Sequence, residues 1–142
     1  MRIHIHIGIL LFSLLGCKDQ ASQPDPLGPF DRWRSYGYHD YTVDQIRTCF
    51  CPDGGQVMRI TVRSDTISFV RRLSDSSQVQ SPASRLYLTV DSLFAIIRTS
   101  KTDSLVITYN TQYGYPERLD INPQLHPVDG GVVYQTSNLH IP

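Results

Sequence analysis

The chain has 142 residues, with 13 Lys plus Arg against 13 Asp plus Glu and a formal charge of zero. No bulk attraction to nucleic acid is expected from that balance, which argues against a general DNA or RNA binder. At 40% hydrophobic and 18% charged residues, the composition is that of one ordinary globular domain with no room for a second.

Met1-Arg2 supplies a small positive start, and Ile7 to Leu15 an apolar run of the length used by export signals, too short to span a bilayer. The run ends in Leu14-Leu15-Gly16-Cys17, which resembles the bacterial lipobox. That resemblance implies cleavage before Cys17 and acylation of its thiol. Residues 1–16 therefore read as a lipoprotein signal peptide, and 126 residues with a formal charge of −1 would remain. The anchor is expected to be lipid, because two or three acyl chains hold a protein at a membrane where weak net charge cannot. Lys18 rather than Asp follows Cys17, which favours export outward, so the expected location is the cell envelope, at the outer membrane or facing the periplasm. Residues 17–29 carry three Pro and few groups worth burying, and read as an extended tether. The folded domain is expected over 30–142.

Phe30, Trp33 and Tyr36 recur every three residues after a Pro and predict a short helix broken at Gly37. Tyr41 to Cys51 is rich in β-formers and is predicted as a strand, closed by a turn at Pro52-Asp53-Gly54-Gly55. Val57 to Leu73 reads as a hairpin about Ser64-Asp65. In that register Arg63 faces Thr66, Val62 faces Ile67 and Ile60 faces Phe69, with Arg59, Thr61 and Ser68 on the opposite side. Ser74 to Ser84 is expected as a surface loop. Thr89 can cap a helix carrying Val90, Leu93, Phe94 and Ile97 on one stripe, with Asp91 suiting its positive end. Ser104 to Tyr109, Glu117 to Asn122 and a segment through Val132, Val133 and Tyr134 read as strands. The predicted fold is thus α+β, in the order α-β-β-β-α-β-β-β. Two helices pack on one face of a curved antiparallel sheet of about six strands, and the two halves resemble an internal duplication.

The series Trp33, Tyr41, Cys49-Phe50-Cys51, Thr89-Val90-Asp91-Ser92-Leu93-Phe94, Tyr109 and Gly114-Tyr115-Pro116 resembles the bacterial family catalogued as domain of unknown function 6174. Many of its members look like secreted proteins or lipoproteins, and the likeness covers most of residues 30–138. It implies no activity. Asn110, Asn122 and the single acid Asp129 stand where that family commonly has more carboxylates, which weakens a carboxylate-cluster or metal role here.

Cys49 and Cys51 are the thiols left once Cys17 is acylated. Fully extended, their Cα atoms would lie about 6.5 to 7 Å apart, at the edge of disulfide geometry, so a bond needs a bend at Phe50. A structural disulfide, a reduced pair and a redox or metal role all remain open, although two thiolates are only half a zinc site. His39, His126 and His140 lie far apart in sequence and read as surface or turn residues, and His4 and His6 fall in the leader. No Gly-x-Ser-x-Gly and no Gly-rich phosphate loop is present, and Asp120 to Asp129 lacks calcium-loop spacing. No cofactor or metal is expected. Eight Tyr and one Trp are numerous for this length and suit either sheet packing or a recognition surface. Candidate contacts are Tyr113, Gly114, Tyr115 and Pro116 in a turn, and Arg59 and Arg72 in a basic strip that also includes Arg71. The expected function is a membrane-anchored binding or structural module whose partner is an envelope protein. The alternative is a thiol-redox or hydrolytic enzyme centred on Cys49 and Cys51.

Overall fold

A computed structural model describes residues 27–142. The predicted signal peptide, Cys17 and most of the predicted tether lie outside the described residues. Helix α1 spans Pro29–Tyr36, followed by strands β1 (Tyr41–Thr48), β2 (Val57–Arg63) and β3 (Thr66–Arg72). Helix α2 (Val90–Thr99) then leads into β4 (Leu105–Tyr109), β5 (Pro116–Ile121) and β6 (Val132–His140). All six strands form one antiparallel sheet in the order β3-β2-β1-β6-β5-β4. The order α-β-β-β-α-β-β-β is as expected, and each half contributes a helix and three adjacent strands. The halves join head to tail, with the first strand of one beside the last strand of the other.

Local chemistry explains most boundaries. Pro29 opens α1 because its missing N–H costs nothing in the first turn. Gly37 ends it in the left-handed region (φ 61°), where a residue without Cβ is unstrained, and its N–H donates to the Arg34 carbonyl. The Thr89 hydroxyl accepts from the Ser92 N–H at 3.1 Å and so caps α2, as the sequence predicts. Ser64 and Asp65 both have positive φ (47° and 64°), the two-residue hairpin turn that matches strand twist. That turn is tied down from outside: Ser64 N–H donates to Asp40 Oδ1 at 2.8 Å, and Asp65 N–H to the His39 carbonyl at 3.0 Å.

Alternate residues of β1 face opposite ways, so Tyr41, Val43, Gln45 and Arg47 share the helix side while Thr42, Asp44 and Ile46 share the open side. On the helix side Tyr41, Val43, Met58, Ile60, Val62 and Val70 pack with Trp33, Val90 and Phe94 into one core. Tyr41 is fully buried, its ring meets Trp33 edge-on at 5.4 Å, and its oxygen accepts the Val90 N–H at 3.0 Å. Burial pushes the Tyr41 phenol well above its ordinary pKa, so it stays neutral in that setting.

Three expectations are corrected. The β2–β3 register holds at Arg63–Thr66 and Val62–Ile67, but Ser68 is an extra residue, so Thr61 faces Phe69 and Ile60 faces Val70. The bulge sends Val70 inward at 2% exposure and leaves Phe69 38% exposed. Strand β1 stops at Thr48 rather than Cys51, because the chain turns back and Gly55 N–H donates to the Arg47 carbonyl at 2.9 Å. The Ser74 to Ser84 segment is not wholly surface: Gln78 bridges to Arg71, and Val79 is buried while its N–H donates to Val70 at 2.9 Å. The folded-back segment covers part of the β3 edge, which would otherwise offer unpaired backbone groups. A 3-10 helix over Pro123–Val128 was not foreseen at all.

Tyr41→Phe should cost about 1–3 kcal/mol in urea unfolding, since the buried Val90 N–H loses its acceptor while the ring remains. Gly114→Ala should cost at least ~1–2 kcal/mol in the same measurement, because φ is +82° there and a Cβ would run into the Pro29 carbonyl.

Candidate functional site

Beyond Thr48 the chain leaves the sheet through Cys49, Phe50, Cys51 and Pro52, and the two cysteines form a disulfide-bonded pair with Cα atoms 5.3 Å apart. The bend that the sequence required at Phe50 is present, and it throws the Phe50 ring outward, 87% exposed. Just before the bend, Arg47 lies on the helix side of β1, opposite Tyr134 of β6, and is only 8% exposed. Its Nε donates to Cys49 Sγ at 3.1 Å. Burial raises the Tyr134 phenol pKa and the positive Arg47 opposes it; Tyr87 is likewise raised by burial and partly offset by Arg47 and Arg72. No carboxylate lies within ion-pairing distance of Arg47 among the described residues. Asp53, the acid of the same turn, is taken by Arg72 at 2.6 Å.

A cavity of about 230 Å³ opens beside the pair, lined by Thr48, Cys49, Phe50, His126, Asp129 and Val133 among others. His126 comes from the 3-10 helix, which folds back so that its Nε2 lies 3.1 Å from Asp120 Oδ1. Asp120 is buried on β5; its Oδ2 accepts from Arg118 at 2.7 Å, while Oδ1 faces the His126 ring without hydrogen-bond geometry. Among the described residues, no three or more His, Cys, Asp or Glu side chains converge as a metal site.

The residues predicted as a partner surface do not gather into one. Tyr115 is 4% exposed against Trp33 (centroids 6.4 Å apart), Pro116 is fully buried, and Gly114 abuts the Pro29 carbonyl of α1. The loop is packing for α1, because a turn that must pass under a helix buries its aromatic tips. Tyr113 alone stays half-buried at the surface, against Tyr36 and Tyr38. Arg59 and Arg72 lie on opposite faces of the sheet, each engaged by local acids. Arg59 grips Asp44 with two hydrogen bonds of 2.8 and 2.9 Å, and Arg72 bonds Asp53, Asp75 and Ser77.

Sequence reasoning missed the surface that is open. Tyr36 and Tyr38 stack at 5.1 Å across Gly37, next to a cavity of about 480 Å³ lined by Trp33, Arg34, Tyr38, His39, Asp65 and Asp91. A Tyr-Gly-Tyr run at a helix end was the available signal, since a left-handed glycine brings its neighbours to one side. Arg47 was also missed, although its place in the alternation with Tyr41, Val43 and Gln45 marks it as inward-facing.

The open face carries a titrating pair. Burial raises the Asp44 carboxyl, but hydrogen bonds from Arg59 and Asn138 and the Arg59 charge outweigh it, and the net pKa lies below the usual carboxylate value. A depressed folded value means that the stabilisation is fully present above the unfolded pKa of about 3.9 and is lost as pH falls through the folded one. Asp44→Asn should therefore lower stability at pH 7 and flatten the decline of stability below about pH 4, followed by thermal unfolding across that range.

No curated protein and no solved structure matches this chain. Residues 29–141, which contain every helix and strand described above, match the Family of unknown function (DUF6174), and the chain belongs to that family.

Proposed function

We propose that the protein is an exported lipoprotein, held at a membrane through acyl chains on Cys17, whose folded domain serves as a binding module of the cell envelope. The observation that carries this reading is the sequence Leu14-Leu15-Gly16-Cys17, preceded by an apolar run and followed by a Pro-rich segment. The first helix begins at Pro29, and twelve residues of tether give a reach of up to about 40 Å. A disulfide-bonded pair fits an oxidising compartment. Among the described residues no helix is long and apolar enough to cross a membrane, so a lipid on Cys17 would supply the attachment.

For the binding role, Tyr36, Tyr38 and Tyr113 offer rigid apolar rings with polar tips beside the larger cavity, a composition suited to contact surfaces. The partner is expected to be another envelope component, presented within the tether's reach.

Cells fed an alkyne palmitate analogue should label the wild-type chain, and tryptic mass spectrometry should place the lipid on Cys17. Cys17→Ser should lose the label and leave the membrane fraction. If Cys17→Ser sediments with membranes as the wild type does, the anchor is wrong. A photocrosslinker at Tyr36 should trap a partner in intact cells that one at Leu86 does not.

A further inference from the structure

We propose that the Cys49–Cys51 disulfide is redox-active, that a dithiol is its reaction partner, and that Arg47 holds Cys49 as the leaving thiolate. The proposal rests on Arg47 and the cysteine pair alone, and it stands whether or not Cys17 is acylated.

A disulfide that only staples a turn has no use for a cation against one of its sulfurs. Arg47 is 8% exposed, faces the core side of β1, and directs Nε at Cys49 Sγ from 3.1 Å. A nearly buried guanidinium normally has a carboxylate to offset its desolvation, and none is within ion-pairing distance here among the described residues. Reduction of the bond supplies that missing anion. A thiolate at Cys49 would receive a charge-assisted hydrogen bond in place of the weak one that a cystine sulfur accepts.

The surroundings give the pair an asymmetry. Among the described residues Cys51 Sγ receives no corresponding hydrogen bond, and Cys51 lines an open depression of about 370 Å³ with Cys49, Phe50 and Pro52. The other charged and titratable groups near Cys49 do not cancel Arg47. Asp53 is bound by Arg72, Tyr87 and Tyr134 have phenols raised by burial, and His126 and Asp129 lie across the neighbouring cavity. Thiol–disulfide exchange is faster when the departing sulfur is the better-stabilised thiolate, so the attacked sulfur is Cys51.

A thiolate of the partner dithiol attacks Cys51 Sγ, forming a mixed disulfide, and the electron pair of the broken S–S bond goes to Cys49 Sγ beside Arg47. The partner's second thiol loses its proton and attacks its own sulfur in the mixed disulfide. Cys51 leaves as a thiolate and takes up that proton. Two electrons pass from partner to pair: the partner leaves as a disulfide, and Cys49 and Cys51 are left reduced.

The test uses the full chain with Cys17→Ser throughout, solubilised in detergent, so that Cys49 and Cys51 are its only thiols. In Cys51→Ala, the rate of iodoacetamide alkylation of Cys49 should rise with a midpoint below the free-thiol value of about 8.5, and adding Arg47→Gln should move the midpoint upward by about one pH unit. With both cysteines present, equilibration against glutathione should show Arg47→Gln holding the disulfide at least several-fold more firmly. Limited exposure of the Cys17→Ser chain, with Arg47 and both remaining cysteines intact, to reduced glutathione, quenched in acid, should place the adduct on Cys51. A Cys49 midpoint at or above the free-thiol value overturns the proposal, as does an adduct on Cys49 or a pair that exchanges only after unfolding. Should Arg47→Gln fail to fold, the Cys51→Ala midpoint and the adduct position still decide.

Discussion

Tyr41 lies at the start of the central strand pair with its ring against Trp33 of α1 and its oxygen on the first N–H of α2. Because one side chain meets both helices, the phase of β1 is fixed: Tyr41 must point toward them, and every second residue after it does the same. Trp33 extends the contact through edge-on packing with Tyr38 and Tyr115 and a 3.4 Å hydrogen bond to Asp91 of α2. Aromatic pairs of this kind contribute roughly 0.5–1.5 kcal/mol each beyond burial, so the cluster is a substantial part of what a domain this size can gain. The same phase carries Gln45 and Arg47 inward farther along the strand. Gln45 satisfies itself between Leu88 and Thr136. Arg47 arrives where the strand ends, beside the cysteine turn.

The two faces of the sheet follow different rules as a result. The covered face is apolar near Tyr41 and grows polar toward Arg47 and Tyr134. The open face holds its two buried carboxylates by local cations: Asp44 by Arg59 directly across the strand pair, and Asp120 by Arg118 two residues earlier on β5. Membership of a family without known function adds no chemistry to this arrangement.

Much of the architecture was legible because its signals are local. Ser64-Asp65 sits between two β-forming runs, and Thr89 precedes a helical stripe, so turn and cap could be placed from neighbours alone. The bulge at Ser68 could not, since Phe69 and Val70 are both apolar and either could face the core; only the curvature of the sheet against Val79 and its loop chooses between them. The placing of Tyr115 and Pro116 under α1 was hidden for a similar reason. Nothing within Tyr113 to Pro116 tells that α1, some eighty residues earlier in the chain, will lie on it. Cys49 and Cys51 were legible as a pair that needs a bend, but the sulfur–guanidinium contact depends on the strand phase set by Tyr41, and His126 reaches its cavity only through a 3-10 helix with no clear sequence pattern.

The head-to-tail joining of the halves places the last strand of the chain in the middle of the sheet, where β6 pairs with both β1 and β5. Thr42 finds its neighbour in His140, so the seam between the halves closes only when nearly the whole polypeptide is available. Such distant pairing makes completion of the sheet a late and comparatively slow event. If the chain is exported as proposed, the half that emerges first would lack the β6 partner of its β1 edge until the remainder has followed.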